Sequence, residues 1–272
     1  MSSRIFITGA SRGIGLELCR QYVAQGARVF AAARNLDDTE LAKLRAQHPE
    51  QLYPIALDVT KQDAIAAAVE TVQKQAGALD VLINNAGINA KSVGLGTYTR
   101  EKMLEIFEVN AVSPILIGQA FLELLRKGTS GKLINISTQV GSFTWNTDGM
   151  SPLYAASKAA LNMYTRAFAR EATGIVTIAV HPGWVQTDMG GKNATLTPSD
   201  SVAALRRLSF CLIGAHPPED LLTPRASLSS LPPLQTPGSS AEVPRRTPFP
   251  LARVIELPDF NAAEGDTRVN IP

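Results

Sequence analysis

The sequence predicts an α/β fold in which a parallel sheet is doubly wound by helices on both faces. Three observations predict it. From residue 4 to about residue 190, short β-rich runs alternate with amphipathic helical stretches; the β-rich runs are apolar nearly throughout; and a glycine-rich turn joins the first run to the first helix. Strands alternating with helices are the pattern of parallel strands linked by crossover helices. Strands buried on both faces read as continuous apolar runs, not as alternating ones.

The predicted strands, in order, are Arg4 to Thr8, Arg28 to Ala33, Leu52 to Leu57, Leu79 to Asn84, Lys132 to Ser137 and Ile175 to Val180. Between the first two, Ile14, Leu18 and Tyr22 recur at helical spacing, and Gly26 stands where a helix end needs a residue tolerant of positive φ. Thr60 and Asp63 give start signals for a helix over Ala64 to Ala76, and Gly77 its stop. A further helix is expected near Ser199 to Phe210.

Beyond about residue 213 the character changes. Of the 17 prolines, 11 fall between Pro217 and Pro272, mixed with Ser, Thr and Arg. Such a segment reads as loop or disorder; a short strand at Arg253 to Leu257 is the one element expected in it. The chain is therefore divided into an α/β domain, residues 1–212, and a Pro-rich, irregular tail, residues 213–272.

Composition narrows the function classes. The chain has 272 residues, 45% hydrophobic and 18% charged, with a formal net charge of +2, which is ordinary for a soluble globular protein. Its 26 Lys and Arg and 24 Asp and Glu are scattered, so neither nucleic acid nor an anionic membrane has an obvious basic patch to bind. Cys19 and Cys211 share no close spacing with each other or with a His cluster, which argues against a zinc site or a disulfide framework and fits a reducing compartment. The start of the chain lacks the charged and apolar regions of a signal peptide, and no apolar run approaches a membrane-spanning length. A cytoplasmic protein without a metal is expected.

The first strand runs into Thr8-Gly9-Ala10-Ser11-Arg12-Gly13-Ile14-Gly15. Glycines at a strand-to-helix junction let the backbone turn sharply and approach a pyrophosphate, which then rests on the free N–H groups of the helix N-terminus. Set between strand and helix, the motif predicts a Rossmann-type dinucleotide site over an ordinary glycine-rich turn. A triphosphate-hydrolysing loop would need Lys-Ser or Lys-Thr after the glycines, and neither is present. At the end of the second strand, where an NAD site presents an acidic residue to the ribose hydroxyls, the chain has Ala31-Ala32-Ala33-Arg34. A guanidinium suits a 2′-phosphate, so Arg34 with Arg12 points to NADP(H). Asp37 and Asp38 follow late for the acidic role, which stays open for them.

Ser137 ends the fifth strand, and Tyr154 and Lys158 stand four apart on the helical run that follows. That spacing puts both side chains on one helix face. A phenol with a pKa near 10 is a poor proton donor unless its anion is stabilised, and a neighbouring Lys with an oxidised nicotinamide is expected to lower it. It then serves as a general acid or base.

To these residues the chain adds Asp58-Val59, Asn84-Asn85-Ala86-Gly87, Val109-Asn110 and the run His181 to Met189. In this set and order the sequence resembles the short-chain dehydrogenase/reductase family over roughly residues 3 to 212. Ser157 to Met163 and Pro182 to Gly191 look most like its C-factor and sniffer-type carbonyl reductase branch. The resemblance implies an NADP(H)-dependent enzyme reducing an aldehyde or ketone, or oxidising a secondary alcohol in reverse, as a homodimer or homotetramer. It also implies roles: Tyr154 passes a proton to the substrate oxygen, Ser137 hydrogen-bonds that oxygen, Lys158 holds the nicotinamide ribose, and Asn110 supports a water relay to Lys158. Gly9, Ser11, Arg12, Gly13, Ile14 and Gly15 would hold the phosphates. Asp58 and Val59 would flank the adenine, Asn85, Ala86 and Gly87 would line the cleft, and Val185 and Thr187 would contact the carboxamide.

The resemblance stops at about Ser209. Family members continue with a last strand and an Asp-Gly turn closing the sheet edge, and their absence predicts an exposed edge and the loss of a surface used in oligomerisation. Two readings stay open: an active reductase, and a non-catalytic or impaired dinucleotide-binding, signalling form. The substrate pocket is expected between Gly141 to Pro152 and Thr187 to Pro198, with Trp145 and Trp184 either walling it or packing on the scaffold.

Overall fold

A computed structural model describes residues 2–37, 39–89, 96–211 and 254–256. Its elements are β1 (Arg4–Thr8), α1 (Gly13–Val23), β2 (Arg28–Ala33), α2 (Thr39–Gln47), β3 (Leu52–Ala56), α3 (Gln62–Ala76), β4 (Val81–Asn84), α4 (Arg100–Phe107), α5 (Ser113–Arg126), β5 (Lys132–Ile136), α6 (Pro152–Glu171), β6 (Val176–His181), α7 (Pro198–Cys211) and β7 (Val254–Glu256). The strands form one sheet in the order β3-β2-β1-β4-β5-β6-β7, every neighbouring pair parallel. The order reverses between β1 and β4, and ligands of open α/β sheets bind in the crevice at such a switch point.

Side chains of successive strand residues point to opposite faces. Ile5 and Ile7 of β1 therefore enter the layer under α1, α2 and α7 with Leu18, Leu41 and Val202. Phe6 enters the opposite layer under α3 and α5, with Val72, Ile117 and Phe121, where the Phe6 and Phe121 rings lie 4.5 Å apart. Pro54 is tolerated in β3 because that strand is an edge, where a missing N–H breaks no ladder between two neighbours.

β1 and β2 have their predicted bounds. β4 starts two residues later than expected because Asp80 is a junction and not a strand residue. It accepts hydrogen bonds from the Arg4 backbone N at 2.8 Å, from Arg4 Nε and Nη2 at 2.9 and 2.8 Å, and from Thr129 N at 2.8 Å. Burial opposes its charge, yet the Arg4 guanidinium and these N–H donors hold its carboxyl below the usual range. A carboxylate depressed in the folded state contributes stability above its unfolded pKa, and that contribution is lost as pH falls through the folded value. Asp80→Asn is accordingly expected to cost about 2 kcal/mol at pH 7 and to flatten the decline of urea-unfolding stability below pH 4. An unchanged acid slope in the variant would remove this pair from the account.

Three expectations are corrected. Thr60 does not cap α3: its N and hydroxyl both donate to Asp58 Oδ1, at 3.0 and 2.8 Å, in a separate turn, and Lys61 precedes the helix. The sheet edge beyond β6 is not bare, because β7 runs parallel to it with Ala179 opposite Val254 and His181 opposite Glu256, within the strand predicted at Arg253 to Leu257. The remainder of the predicted irregular tail lies outside the described residues. Finally, among the described residues one helical stretch, Arg100–Arg126, does reach the length and apolarity of a membrane span, with a mean hydropathy of 1.2 over an 18-residue window; half of that window is buried, with α5 packed on the sheet as a core helix.

Candidate active site

The glycine turn after β1 is shaped by what it must approach. Gly9 has φ +66°, and a Cβ there would stand 2.9 Å from the Ala86 Cα. A Cβ on Gly15 would lie 2.1 Å from the Gly9 carbonyl oxygen and 2.6 Å from Asn85 Nδ2. No side chain fits at either position. Asn85 and Ala86 donate their backbone N–H groups to Thr8 Oγ1, both at 3.0 Å, while Asn85 Nδ2 donates to the carbonyls of Thr8 and Gly9 at 2.9 and 3.1 Å. The ends of β1 and β4 are thus sewn together at the switch point. Ser11 and Ile14 are half-buried in the same turn, and Arg12 stands just before the first residue of α1 with extended backbone.

Arg34 is exposed at the end of β2, and Asp58, whose carboxyl Thr60 holds below its usual range with a smaller contribution from Arg34, follows β3 with buried Val59. Arg12 Nη1 lies 3.1 Å from Asp188 Oδ2 in the loop after β6. In that loop Val185 is buried and bridges Leu196, and Thr187 lies where a Cβ on Gly13 would be 3.2 Å from its methyl group.

Asn110 is fully buried in a π-helical turn, Glu108–Val112, between α4 and α5. Such one-turn widenings are frequent at functional sites. Its amide both donates to Ile88 O, at 2.8 Å, and accepts from Ile88 N, at 2.9 Å, and its Nδ2 also donates to Ser157 Oγ at 3.0 Å. Ser157 passes its own proton to Tyr154 O at 2.7 Å. A Cβ on Gly87 would stand 3.3 Å from Asn110 Oδ1 and 3.7 Å from Lys158 Nζ, so this glycine leaves the space between them open.

Helix α6 starts at Pro152 from Ser151, whose left-handed backbone at φ 51° and ψ 54° costs a non-glycine residue about 1–2 kcal/mol. This turn presents Tyr154 in the first helical turn, with Lys158 one turn on. Lys158 Nζ donates to Ile136 O at 2.8 Å and lies 5.9 Å from the centre of the Tyr154 ring. Burial pushes the Lys158 ammonium down to about 8 and the Tyr154 phenol up to about 12. Within the chain burial sets the direction for Tyr154; the lowering expected of Lys158 together with an oxidised nicotinamide is a property of the cofactor-bound site.

Ser137, 1% exposed just beyond β5, donates its hydroxyl proton to Asn162 Oδ1 at 2.6 Å. Asn162 carried no assignment in the sequence, although Tyr154, Lys158 and Asn162 repeat at spacing four, a signal that would have found it. The two segments expected to wall the pocket expose large apolar groups, Phe143 at 92% and Trp145 at 60% in the first and Met189 at 47% in the second, with Trp184, 53% exposed, just before it. Trp184 is not free to swing, since its Nε1 donates to Gly190 O at 2.8 Å. Among the described residues, no three His, Cys, Asp or Glu side chains gather as a metal site.

The model of the short chain dehydrogenase family matches residues 3–196. Among curated proteins, C-signal of Myxococcus xanthus is 42% identical over 134 residues, covering 48% of this chain and 81% of that protein. Two solved structures superpose well. An NADPH-bound carbonyl reductase from chicken fatty liver has TM-score 0.70 at 35% identity, over 76% of this chain and 90% of the other. The carbonyl reductase Sniffer of D. melanogaster has TM-score 0.73 at 31% identity, over 76% and 91%.

Proposed function

This chain belongs to the short-chain dehydrogenase family, and from that premise we propose that it is an NADPH-dependent reductase of aldehydes or ketones. Family membership makes it an oxidoreductase of hydride transfer that takes a nicotinamide dinucleotide. The carbonyl substrate and the choice of NADPH are the proposal. One observation carries it: Tyr154 and Lys158 of α6, Ser137 at the end of β5 and Asn110 in its π-turn stand at the carboxyl ends of the strands, on the side where the glycine turn leaves backbone open to a phosphate.

The residues fit such a cofactor. The glycine turn leaves no room for side chains, and the start of α1 lies directly behind it to receive a pyrophosphate. Arg34 is exposed where a 2′-phosphate would need a cation, with Arg12 reachable if it leaves Asp188. In this reading Asp58 and Val59 flank the adenine, Asn85, Ala86 and Gly87 line the cleft, and Val185 and Thr187 meet the carboxamide. When bound, the nicotinamide supplies the hydride. Tyr154 holds a proton at Oη and delivers it to the carbonyl oxygen as charge develops there. Lys158 orients the ribose and draws protons through the polar track that Asn110 anchors. The exposed aromatic groups of the flanking loops favour an apolar carbonyl compound, and the enzyme works in the cytoplasm as a homodimer or homotetramer.

The chicken carbonyl reductase, described as NADPH-bound, supports the cofactor choice by similarity. A non-catalytic dinucleotide sensor has no physical need for these four groups together, so the catalytic reading is preferred. Thermal unfolding with each nucleotide tests it. NADPH is expected to raise the midpoint well above the shift given by NADH, since only ligand bound to the native state stabilises it. Arg34→Asp should reverse the order, weakening NADPH by about tenfold to a hundredfold, the loss of a charged hydrogen bond. Equal shifts in the unaltered protein would overturn the NADP assignment, and no response to either would overturn the dinucleotide site.

A further inference from the structure

The single proton of the Ser137 hydroxyl is already committed. Its Oγ lies 2.6 Å from Asn162 Oδ1, at the short end of the range for a hydroxyl bond. The orientation of the Asn162 amide is fixed independently, because its other end faces the Gly141 carbonyl oxygen at 3.4 Å. A carbonyl accepts and never donates, so the amide end facing it must be the NH2 group, and the oxygen is left for Ser137. Ser137 is 1% exposed, which leaves its hydroxyl little room for other orientations. Asn162 also continues the face of α6 that carries Tyr154 and Lys158.

We propose that Asn162 is a positioning residue for the reaction: by accepting the Ser137 hydroxyl proton it holds that side chain in place, with its one donor aligned, until a carbonyl oxygen arrives to take the hydrogen bond over. Ser137 then donates to the substrate carbonyl oxygen by exchanging Asn162 Oδ1 for it, and without Asn162 the hydroxyl is no longer held for that exchange. The inference rests on the reductase reading above and assigns to that site a residue outside the Asn110, Ser137, Tyr154 and Lys158 set.

The test is a double-mutant cycle on NADPH oxidation with an aromatic aldehyde as the probe, using the full chain. Asn162→Leu should lower kcat by about tenfold to a hundredfold, the scale of a misplaced catalytic group, with NADPH affinity unchanged. In a Ser137→Ala background the same substitution should have little further effect, because the group through which Asn162 acts is gone. Asn162→Asp supplies a second readout and guards against misfolding of the leucine variant. Its ionised carboxylate grips the Ser137 proton in a charge-assisted bond that yields less readily to a carbonyl, whereas its protonated form reproduces the amide pattern, accepting from Ser137 and donating to Gly141 O, so its activity should climb toward that of the unaltered protein as pH falls through the carboxyl pKa. Multiplicative losses in the cycle, or an Asn162→Asp variant that tracks the unaltered pH profile, overturn the role of Asn162 while leaving the reductase standing. No turnover of any aldehyde by the unaltered protein overturns the reductase reading and this inference with it.

Discussion

Tyr154→Phe is expected to lower carbonyl reduction by about 10²- to 10⁴-fold, the usual contribution of a positioned general acid, while NADPH still raises the unfolding midpoint as in the unaltered protein. The substitution removes only the phenolic oxygen and keeps the ring in place against Lys158. The direction of the pKa shift adds a second expectation. With burial pushing the phenol up to about 12, Tyr154 is protonated across the neutral range, which suits donation to a carbonyl. Reduction should therefore vary little between pH 6 and pH 8 on account of this group. Alcohol oxidation, which needs the phenolate as base, should rise with pH through the same range. Single-turnover NADPH oxidation with a carbonyl and NADP+ reduction with the alcohol, each measured across pH, check the two; a Tyr154→Phe enzyme retaining a tenth or more of the rate would remove Tyr154 from the chemistry.

Much of this was legible in the sequence, for identifiable reasons. β1 and β2 are apolar runs that begin at an arginine and end at the glycine turn or at Arg34, so composition alone bounds them. The glycine turn is legible because its steric demand is absolute: a Cβ on Gly15 would lie 2.1 Å from Gly9 O, which no other residue can accommodate. The spacing of Tyr154 and Lys158 is legible because an α-helix has one period. What spacing does not encode is depth. The balance that pushes the phenol up and the ammonium down depends on how much protein surrounds each, which is a property of the packed layers. Nor does it encode distant partners, such as Asp188 for Arg12, 176 residues away. The π-turn at Asn110 is hidden for a related reason, since one extra residue per turn leaves no mark on a pattern with a period of 3.6.

Lys158→Met carries the other large expected effect, and its two consequences have opposite signs. Activity should fall by about two orders of magnitude or more, as expected for loss of the group that orients the ribose and supplies protons. Stability at pH 7 should rise. The ammonium is buried and its pKa is pushed down to about 8 from the usual value of 10.5, so the folded state holds that proton less tightly than the unfolded chain does. For a lysine lowered on folding, the penalty is fully present below about 8 and fades as pH climbs through 10.5, above which both states are neutral. That penalty is on the order of 3 kcal/mol. Methionine fills a similar volume without charge, but leaves Ile136 O without the donor it has at 2.8 Å, a loss of about 1 kcal/mol. The net expectation is a gain of roughly 2 kcal/mol at pH 7, shrinking and then reversing by pH 10. Urea unfolding at pH 7 and pH 9.5 reads the sign directly. A variant less stable than the unaltered protein at pH 7, with the same dependence on pH, would mean that Lys158 is held in its charged form by partners stronger than a single carbonyl. An inactive variant with the predicted gain would mean that the fold carries this lysine at a cost, for its chemistry.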